Sequence, residues 1–369
     1  MLAGAGATAT AGLAGLAGCG TGPAHKVDEA QLRHKAASLL VVGFRGQQLA
    51  DDDWVMKAVR SGIGGVVLFD RDLKTGLARN ITSPGQVTAL VKQLREASSG
   101  RLIVSIDQEG GQTARLGPSD GFASSASQAS IGATDSAAAT RSWAQRMATE
   151  LRSIGVNLNY APVVDLNVNP ASPAIGQLGR SFSSDTNVVV SNAGEEIQAH
   201  RAAGVKTVLK HFPGLGSSTA NTDFAVADVT STWQPSELEP FRSLIGAGKA
   251  DSVMAAHLLN KNLDPQHPAS LSAKVVTDLL RGQLGFHGPV VSDDMQAVAI
   301  TSRYGSNEAV ALALTAGVDL LVFANQQVYD PNVVKQTVDN VVNLVRTGRI
   351  SQARIDDAVA RVDTLRPES

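Results

Sequence analysis

The sequence predicts an α/β protein, a single (β/α)8 TIM-like barrel, on three observations. Eight short apolar runs rich in β-branched residues recur between about residues 37 and 323, alternating with loops and stretches of helical spacing. The 369 residues are 43% hydrophobic but only 4% aromatic, with 35 glycines, which suits an α/β chain better than an all-β one. No G-x-G-x-x-G follows the first run, which weighs against an open dinucleotide-binding sheet.

In chain order the runs are "SLLVVGF" (38–44), "GGVVLF" (64–69), "RLIVSI" (101–106), "VNLNYAPVV" (156–164), "VKTVLK" (205–210), "DSVMAA" (251–256), "GPVVS" (288–292) and "VDLLVF" (318–323). They are nearly continuous in apolar character, as expected of parallel strands buried on both faces. Helix candidates between them include "SPGQVTALVKQLREASS" (83–99) and "SNEAVALALTAG" (306–317). The tail from about 329 to 365 reads as two more helices, too short for another sizeable domain, so the barrel with its C-terminal helices is assigned to 35–369.

The N-terminus is a separate object. "MLAGAGATATAGLAGLAGCG" is small, apolar and uncharged, and it stops at Cys19, the only cysteine, which has no partner for an internal disulfide. Leu16-Ala17-Gly18 followed by Cys19 resembles a bacterial lipoprotein signal, which implies residues 1–19 as signal, 20–34 as tether, and lipid on Cys19. The chain is then expected to be exported and held on the outer face of a membrane. One element departs from an export signal: beyond the α-amine the first basic side chains are His25 and Lys26, so a start upstream of Met1 is expected. The alternative is a plain Ala/Gly leader. No later run reaches the ~20 apolar residues needed to span a bilayer.

A net charge of −2 leaves no basic footprint, so nucleic acid is not an expected partner. No cofactor is expected, and the chain is expected to be a monomer. His211 and His257 with nearby acids are candidate metal ligands, but H-x-x-x-H and H-x-H spacings are absent and no metal is expected.

Polar residues close five of the runs: Asp107, Asp165, Lys210-His211, His257 and Asp293-Asp294. In a closed barrel these groups converge on the C-terminal rim, where such folds place their active sites. Thiol catalysis is excluded with Cys19 in the leader. A Schiff base on Lys210 needs a depressed pKa, and neighbouring carboxylates favour the charged ammonium instead. A charged lysine, a histidine and several aspartates suit a polyhydroxylated ligand, and sugar recognition uses them all.

"SIDQEGGQTARL", "GVNLNYAPVVDLNVNP", "LGRSF", "KHFPGLG" and "GFHGPVVSDDM" occur here in order. Together they resemble glycoside hydrolase family 3 over about residues 35–325, most of all its single-barrel β-N-acetylglucosaminidase branch of bacterial cell-wall turnover. The resemblance implies a retaining exo-β-N-acetylglucosaminidase that removes terminal N-acetylglucosamine from cell-wall fragments. Asp293, the first acid of "SDD", takes the place of the nucleophile. Asp107, Arg115, Arg180, Lys210 and His211 resemble sugar-binding residues, and His257 is grouped with them as the one that orients a neighbour. Lys210 is expected to hold the attacking carboxylate ionised, and Asp294 to act as a helix N-cap or a supporting partner.

The stretch "LKHFPGLGSSTANTDFAVAD" (209–228) departs from the family pattern, whose loop carries an Asp-x-His pair. Here those positions are Asn221 and Asp223. Asp223 is the expected acid/base, with Asp228 as an alternative. A third outcome is loss of the acid step, leaving a sugar-binding lipoprotein or a transglycosidase or phosphorylase. An aspartate near 3.9 is ionised at neutral pH, so Asp223 has to be raised by desolvation and by the negative nucleophile opposite. Asn221 is expected to position it, and Gly214, Gly216 and the Ser/Thr run suit a mobile lid.

Overall fold

The computed structural model describes residues 28–98 and 101–367, with Met1 and Gly4. Cys19 and the signal assigned to 1–19 lie outside the described residues.

Eight parallel strands close on themselves in sequence order. They are β1 (Leu40–Gly43), β2 (Gly65–Leu68), β3 (Ile103–Ile106), β4 (Leu158–Asn159), β5 (Lys206–Phe212), β6 (Ser252–Ala255), β7 (Val290–Asp294) and β8 (Leu320–Phe323). β1 pairs with both β2 and β8, so the sheet has no edge. The strand residues are buried almost without exception, which is why their sequence shows no polar alternation.

Two strands differ from expectation. The fourth run was expected over 156–164 but pairs regularly only at Leu158–Asn159, because Pro162 has no N–H to give the ladder; one isolated bridge, Val163 with Lys210, follows. The seventh run extends through both acids to Asp294, so Asp293 and Asp294 are strand residues rather than loop residues.

The helices follow from ordinary caps and stripes. Ser83 accepts the Gln86 N–H at 3.2 Å and Pro84 opens the helix Pro84–Ala97. Its Val87, Leu90, Val91 and Leu94 form one buried face at helical spacing. Each such burial contributes about 1.5–3 kcal/mol. The helix Ser306–Ala316 ends at Gly317, whose φ of 109° is the left-handed cap. The tail forms Val333–Arg346 and Gln352–Val362, as expected.

Residues 28–34, expected as part of the tether, belong to the fold. Residues Glu29–Ala37 form a helix capped by Asp28, with Leu32 buried. Arg33 pairs with Asp339 and Lys35 with Asp356 at 2.7 Å, both on the tail helices. The tail helices therefore pack back on the helix Glu29–Ala37.

Two loops on the C-terminal rim are joined. The Arg79 guanidinium is fully buried and donates to the carbonyls of Phe44 (2.7 Å), Ala324 (2.8 Å) and Asn325 (3.1 Å). Gln326 accepts the Leu73 N–H at 2.9 Å and donates to the Arg71 carbonyl at 3.0 Å. The loop after β2 and the loop after β8 thus form one surface.

Candidate active site

A pocket of about 370 Å³ opens at the C-terminal rim, lined by Asp107, Arg115, Arg180, Lys210, His211, Asp223, Asp293 and Asp294 among others. β5, β7 and the end of β3 deliver Lys210, His211, Asp293, Asp294 and Asp107, and the loops after β3, β4 and β5 deliver Arg115, Arg180 and Asp223. Of the residues expected at the rim, Asp165, Asp228 and His257 are absent from the wall.

A buried ion network forms one side. The Lys210 ammonium lies 2.7 Å from Asp107 Oδ1 and 2.7 Å from Glu109 Oε1. Arg180 grips Glu109 bidentately, with Nε–Oε2 and Nη2–Oε1 both 2.7 Å, while Arg115 stands 3.8 Å from Asp107. Burial works to raise the Glu109 carboxyl, but the charges of Arg180 and Lys210 outweigh it and hold the group well below the usual carboxylate range. No role was expected for Glu109, although it stands inside the quoted "DQEGG"; the signal available was a second acid just past a strand end. Two of the three Lys210 N–H groups are occupied, leaving one for a ligand.

Arg180 Nη2 also donates to His211 Nε2 at 3.2 Å, which makes that nitrogen an acceptor. His211 Nδ1 then carries the proton and donates to Asp165 Oδ2 at 2.7 Å. Asp165, wholly buried, accepts also from the Leu215 N–H at 2.7 Å. It therefore fixes the histidine and the start of the following loop together.

The surroundings of Asp293 differ from expectation. Lys210 is engaged by Asp107 and Glu109 rather than dedicated to Asp293. Burial opposes the Asp293 charge, but the imidazoles of His257 and His211, the Asp294 N–H at 2.9 Å, and lastly Lys210 hold its carboxyl below the usual range. His257 is a positioning residue rather than a sugar ligand, a correction to its grouping. It is fully buried, with Nε2 donating to the Asp294 carbonyl at 2.8 Å and Nδ1 2.6 Å from the Ser270 hydroxyl.

Asp294 caps no helix; the next one begins at Val298 with Ala297 before it. Its Oδ1 accepts the N–H groups of Gln296 (3.1 Å) and Ala324 (2.9 Å), which ties β7 to the end of β8. Burial, against those two donors and with Asp223 and Asp293 adding to it, pushes its carboxyl up to about 7.

The loop after β5 is built from a firm base and a tip that reaches the pocket. Gly216 lies so close to the Leu166 carbonyl that a Cβ would stand 1.8 Å from its oxygen. The Ser217 N–H donates to Glu237 Oε2 at 3.1 Å. At the tip, Asn221 Oδ1 accepts the Asp223 N–H at 2.9 Å, the positioning role expected of it. The carbonyls of Asp223 and Thr222 accept the N–H groups of Val298 and Ala299, each at 3.2 Å, from the segment just after β7.

Asp223 lines the pocket. Desolvation, then the negative Asp293, push its carboxyl up to about 6 against the pull of Arg180. Asp228 does not line the pocket: it is exposed, accepts from the Thr230 hydroxyl at 2.5 Å and pairs with Lys261 at 3.2 Å. The Thr230 hydroxyl bond and then Lys261 hold it below its ordinary value, the opposite of what an acid requires. One pocket therefore contains a carboxyl held below its ordinary range, Asp293, and two pushed above it, Asp223 to about 6 and Asp294 to about 7.

Residues 31–365 match the family model described as the glycosyl hydrolase family 3 N terminal domain. The chain is 37% identical over 301 residues to a β-hexosaminidase of Xylella fastidiosa (strain M23), covering 78% of this chain and 84% of that protein. It is similar in structure to a family 3 β-N-acetylglucosaminidase of Paenibacillus sp. FPU-7, with a TM-score of 0.82 at 33% identity, covering 90% of this chain. It spans only 62% of that longer chain. A β-N-acetylhexosaminidase of Beutenbergia cavernae matches with a TM-score of 0.78 at 33% identity, covering 90% of this chain and 97% of that one.

Proposed function

The chain belongs to glycosyl hydrolase family 3 and is a glycoside hydrolase, and from that premise we propose a retaining exo-β-N-acetylglucosaminidase acting on cell-wall fragments. The supporting observation is the pair Asp293 and Asp223, whose carboxyls are shifted in opposite directions within one pocket. Such a split supports Asp293 as nucleophile and Asp223 as acid, with Asp294 occupied by the Gln296 and Ala324 N–H groups. The Asp293 carboxylate attacks the anomeric carbon, the glycosidic C–O bond breaks, and the departing oxygen takes the proton of Asp223. Water then attacks the same carbon, yields its proton to Asp223, and releases Asp293. Lys210, Arg115 and Asp107 hold the sugar hydroxyls with their unused donors and lone pairs.

The test is product analysis. Purified enzyme should release the aglycone from an aryl N-acetyl-β-glucosaminide, and should release free N-acetylglucosamine from purified muropeptides with and without phosphate. A sugar 1-phosphate in the phosphate arm would make it a phosphorylase. Tight binding of N-acetylglucosamine with no turnover would make it a sugar-binding protein.

We also propose export and a lipid on Cys19. Cys19→Ser should move the protein from the membrane fraction to the soluble one and leave kcat unchanged, because the described barrel starts well beyond that residue. One acyl chain holds only weakly, so stable anchoring takes more than one. A wild type found soluble and uncleaved sinks the anchor and leaves the enzyme assignment standing.

A further inference from the structure

Residues 213–234 form one loop between β5 and the helical turn Pro235–Leu238, with Asp223 near its tip. Loops of that length inside a compact domain are uncommon and tend to carry function. Two hydrogen bonds join the ends of this one. The Trp233 indole N–H donates to the Pro213 carbonyl at 3.1 Å, and Glu237 Oε2 accepts the Ser217 N–H at 3.1 Å. Between them Gly214, at a φ of 120°, leaves no space: a Cβ there would stand 2.6 Å from the Glu237 Cβ. The neck is closed by contact as well as by hydrogen bonds.

Glu237 does more than cap a helix. Its Oε1 accepts the Gln234 N–H at 3.1 Å, the ordinary role of a glutamate in a first helical turn. The same side chain is wholly buried, and its other oxygen goes to a residue 20 positions earlier in the chain. Burying a carboxyl costs free energy, and a cap alone does not require it. Two N–H donors from two segments converge on it, a demand that the paired oxygens of a carboxylate meet.

We propose that Glu237 and Trp233 are positioning residues for the acid step, clasping the neck of the loop so that its tip stays docked and Asp223 stays in the pocket. The proposal rests on Asp223 as the proton donor. At the tip the docked state is held by the two 3.2 Å bonds from Val298 and Ala299. A loop whose ends are joined has fewer open conformations to give up on docking, so the clasp raises the docked fraction without touching the sugar. Molecules with the tip undocked keep Asp293 but lack the acid.

Kinetics sorted by leaving group test it. Glu237→Leu, which fills the space but removes both acceptors, should lower kcat/KM for disaccharide fragments by about 10–10²-fold, the scale of one hydrogen bond to a charged group. Activated aryl glycosides, which need little protonation, should stay within about threefold. Trp233→Phe keeps the ring and loses only the N–H, so it should show the same selectivity at about fivefold, the scale of one neutral hydrogen bond. In an Asp223→Ala background neither change should lower disaccharide hydrolysis further, because residues acting through one group are not additive. Phe224 is exposed and adjoins Asp223, so cleavage after it by chymotrypsin should speed up in both variants as the open fraction grows.

Equal losses on both substrate classes, or an undiminished loss in the Asp223→Ala background, would reduce Glu237 and Trp233 to supports of the fold and overturn the clasp. Unchanged cleavage after Phe224 would overturn it too. If Glu237→Leu does not fold, Trp233→Phe decides by the same three readouts. An Asp223→Ala enzyme that makes no distinction between leaving groups sinks the acid assignment and the clasp together. One that does, beside clasp variants that do not, sinks the clasp alone.

Discussion

Asp293→Ala should lower turnover of every N-acetyl-β-glucosaminide by about 10⁴–10⁶-fold, the scale seen when an enzyme loses its attacking group. The fold should survive, because the Asp293 carboxylate accepts only the N–H of its own neighbour while the β7 backbone is held by the sheet on both sides. A 2-deoxy-2-fluoro glycoside with an activated leaving group should trap the covalent intermediate, and peptide mapping should find the mass on Asp293. Asp294→Ala should behave differently. It removes the acceptor for the Gln296 and Ala324 N–H groups, so it should lower stability and slow turnover while leaving measurable activity. Label on Asp294, or residual turnover in Asp293→Ala above that in Asp294→Ala, would reverse the assignment.

Asp223→Ala should divide substrates by leaving group. Disaccharide fragments, which depart poorly without a proton, should lose about 10²–10⁴-fold in kcat/KM. Activated aryl glycosides need little protonation, and their first step should suffer far less. Azide should then accelerate the variant, because a small anion attacks the glycosyl-enzyme without a general base. The pH dependence has a definite sign. With its carboxyl near 6, Asp223 is a donor below that pH, so kcat/KM for disaccharides should fall as pH rises through about 6. That alkaline limb should vanish in Asp223→Ala. Asp228→Ala should show neither azide rescue nor a shifted limb, since it is exposed and paired with Lys261. Equal losses on both substrate classes with no rescue would place the proton elsewhere.

The barrel was legible because its strands are buried on both faces and so appear as nearly continuous apolar runs, five of them closed by the polar residues named above. The rim was legible for the same reason. What lay beyond the sequence was the direction of each polar side chain past the end of its strand, where the pleat no longer assigns a face. His257 and Lys210 show this: both close strands, but one turns beneath the floor to a backbone carbonyl, and the other is captured by Glu109. The first helix was missed because a single buried side chain, Leu32, marks its first four residues, and the partners of Arg33 and Lys35 are more than 300 residues away. The acid near neutrality was anticipated as a requirement placed on Asp223. The two causes named for it, desolvation and the negative Asp293, are the leading ones at the rim where the loop after β5 meets β7.

The hydrogen bonds from Val298 and Ala299 to the loop tip make the four residues Asp294–Ala297 a gauge for the gap across which bonds are exchanged. Asp223 follows β5 and Asp293 lies on β7, but the Asp223 tip hangs from the chain that leaves Asp293. Their separation is therefore largely insulated from sway of the long loop. It is exposed to the length of that short segment, where one residue more or less moves the suspension point by about 3 Å. Direct attack needs carboxyls about 5–5.5 Å apart, and attack through water about 6.5–9.5 Å. The difference between the two is one residue's worth of chain, so a single insertion here has the reach to invert the configuration of the released sugar, which the anomeric proton signal of the nascent product records.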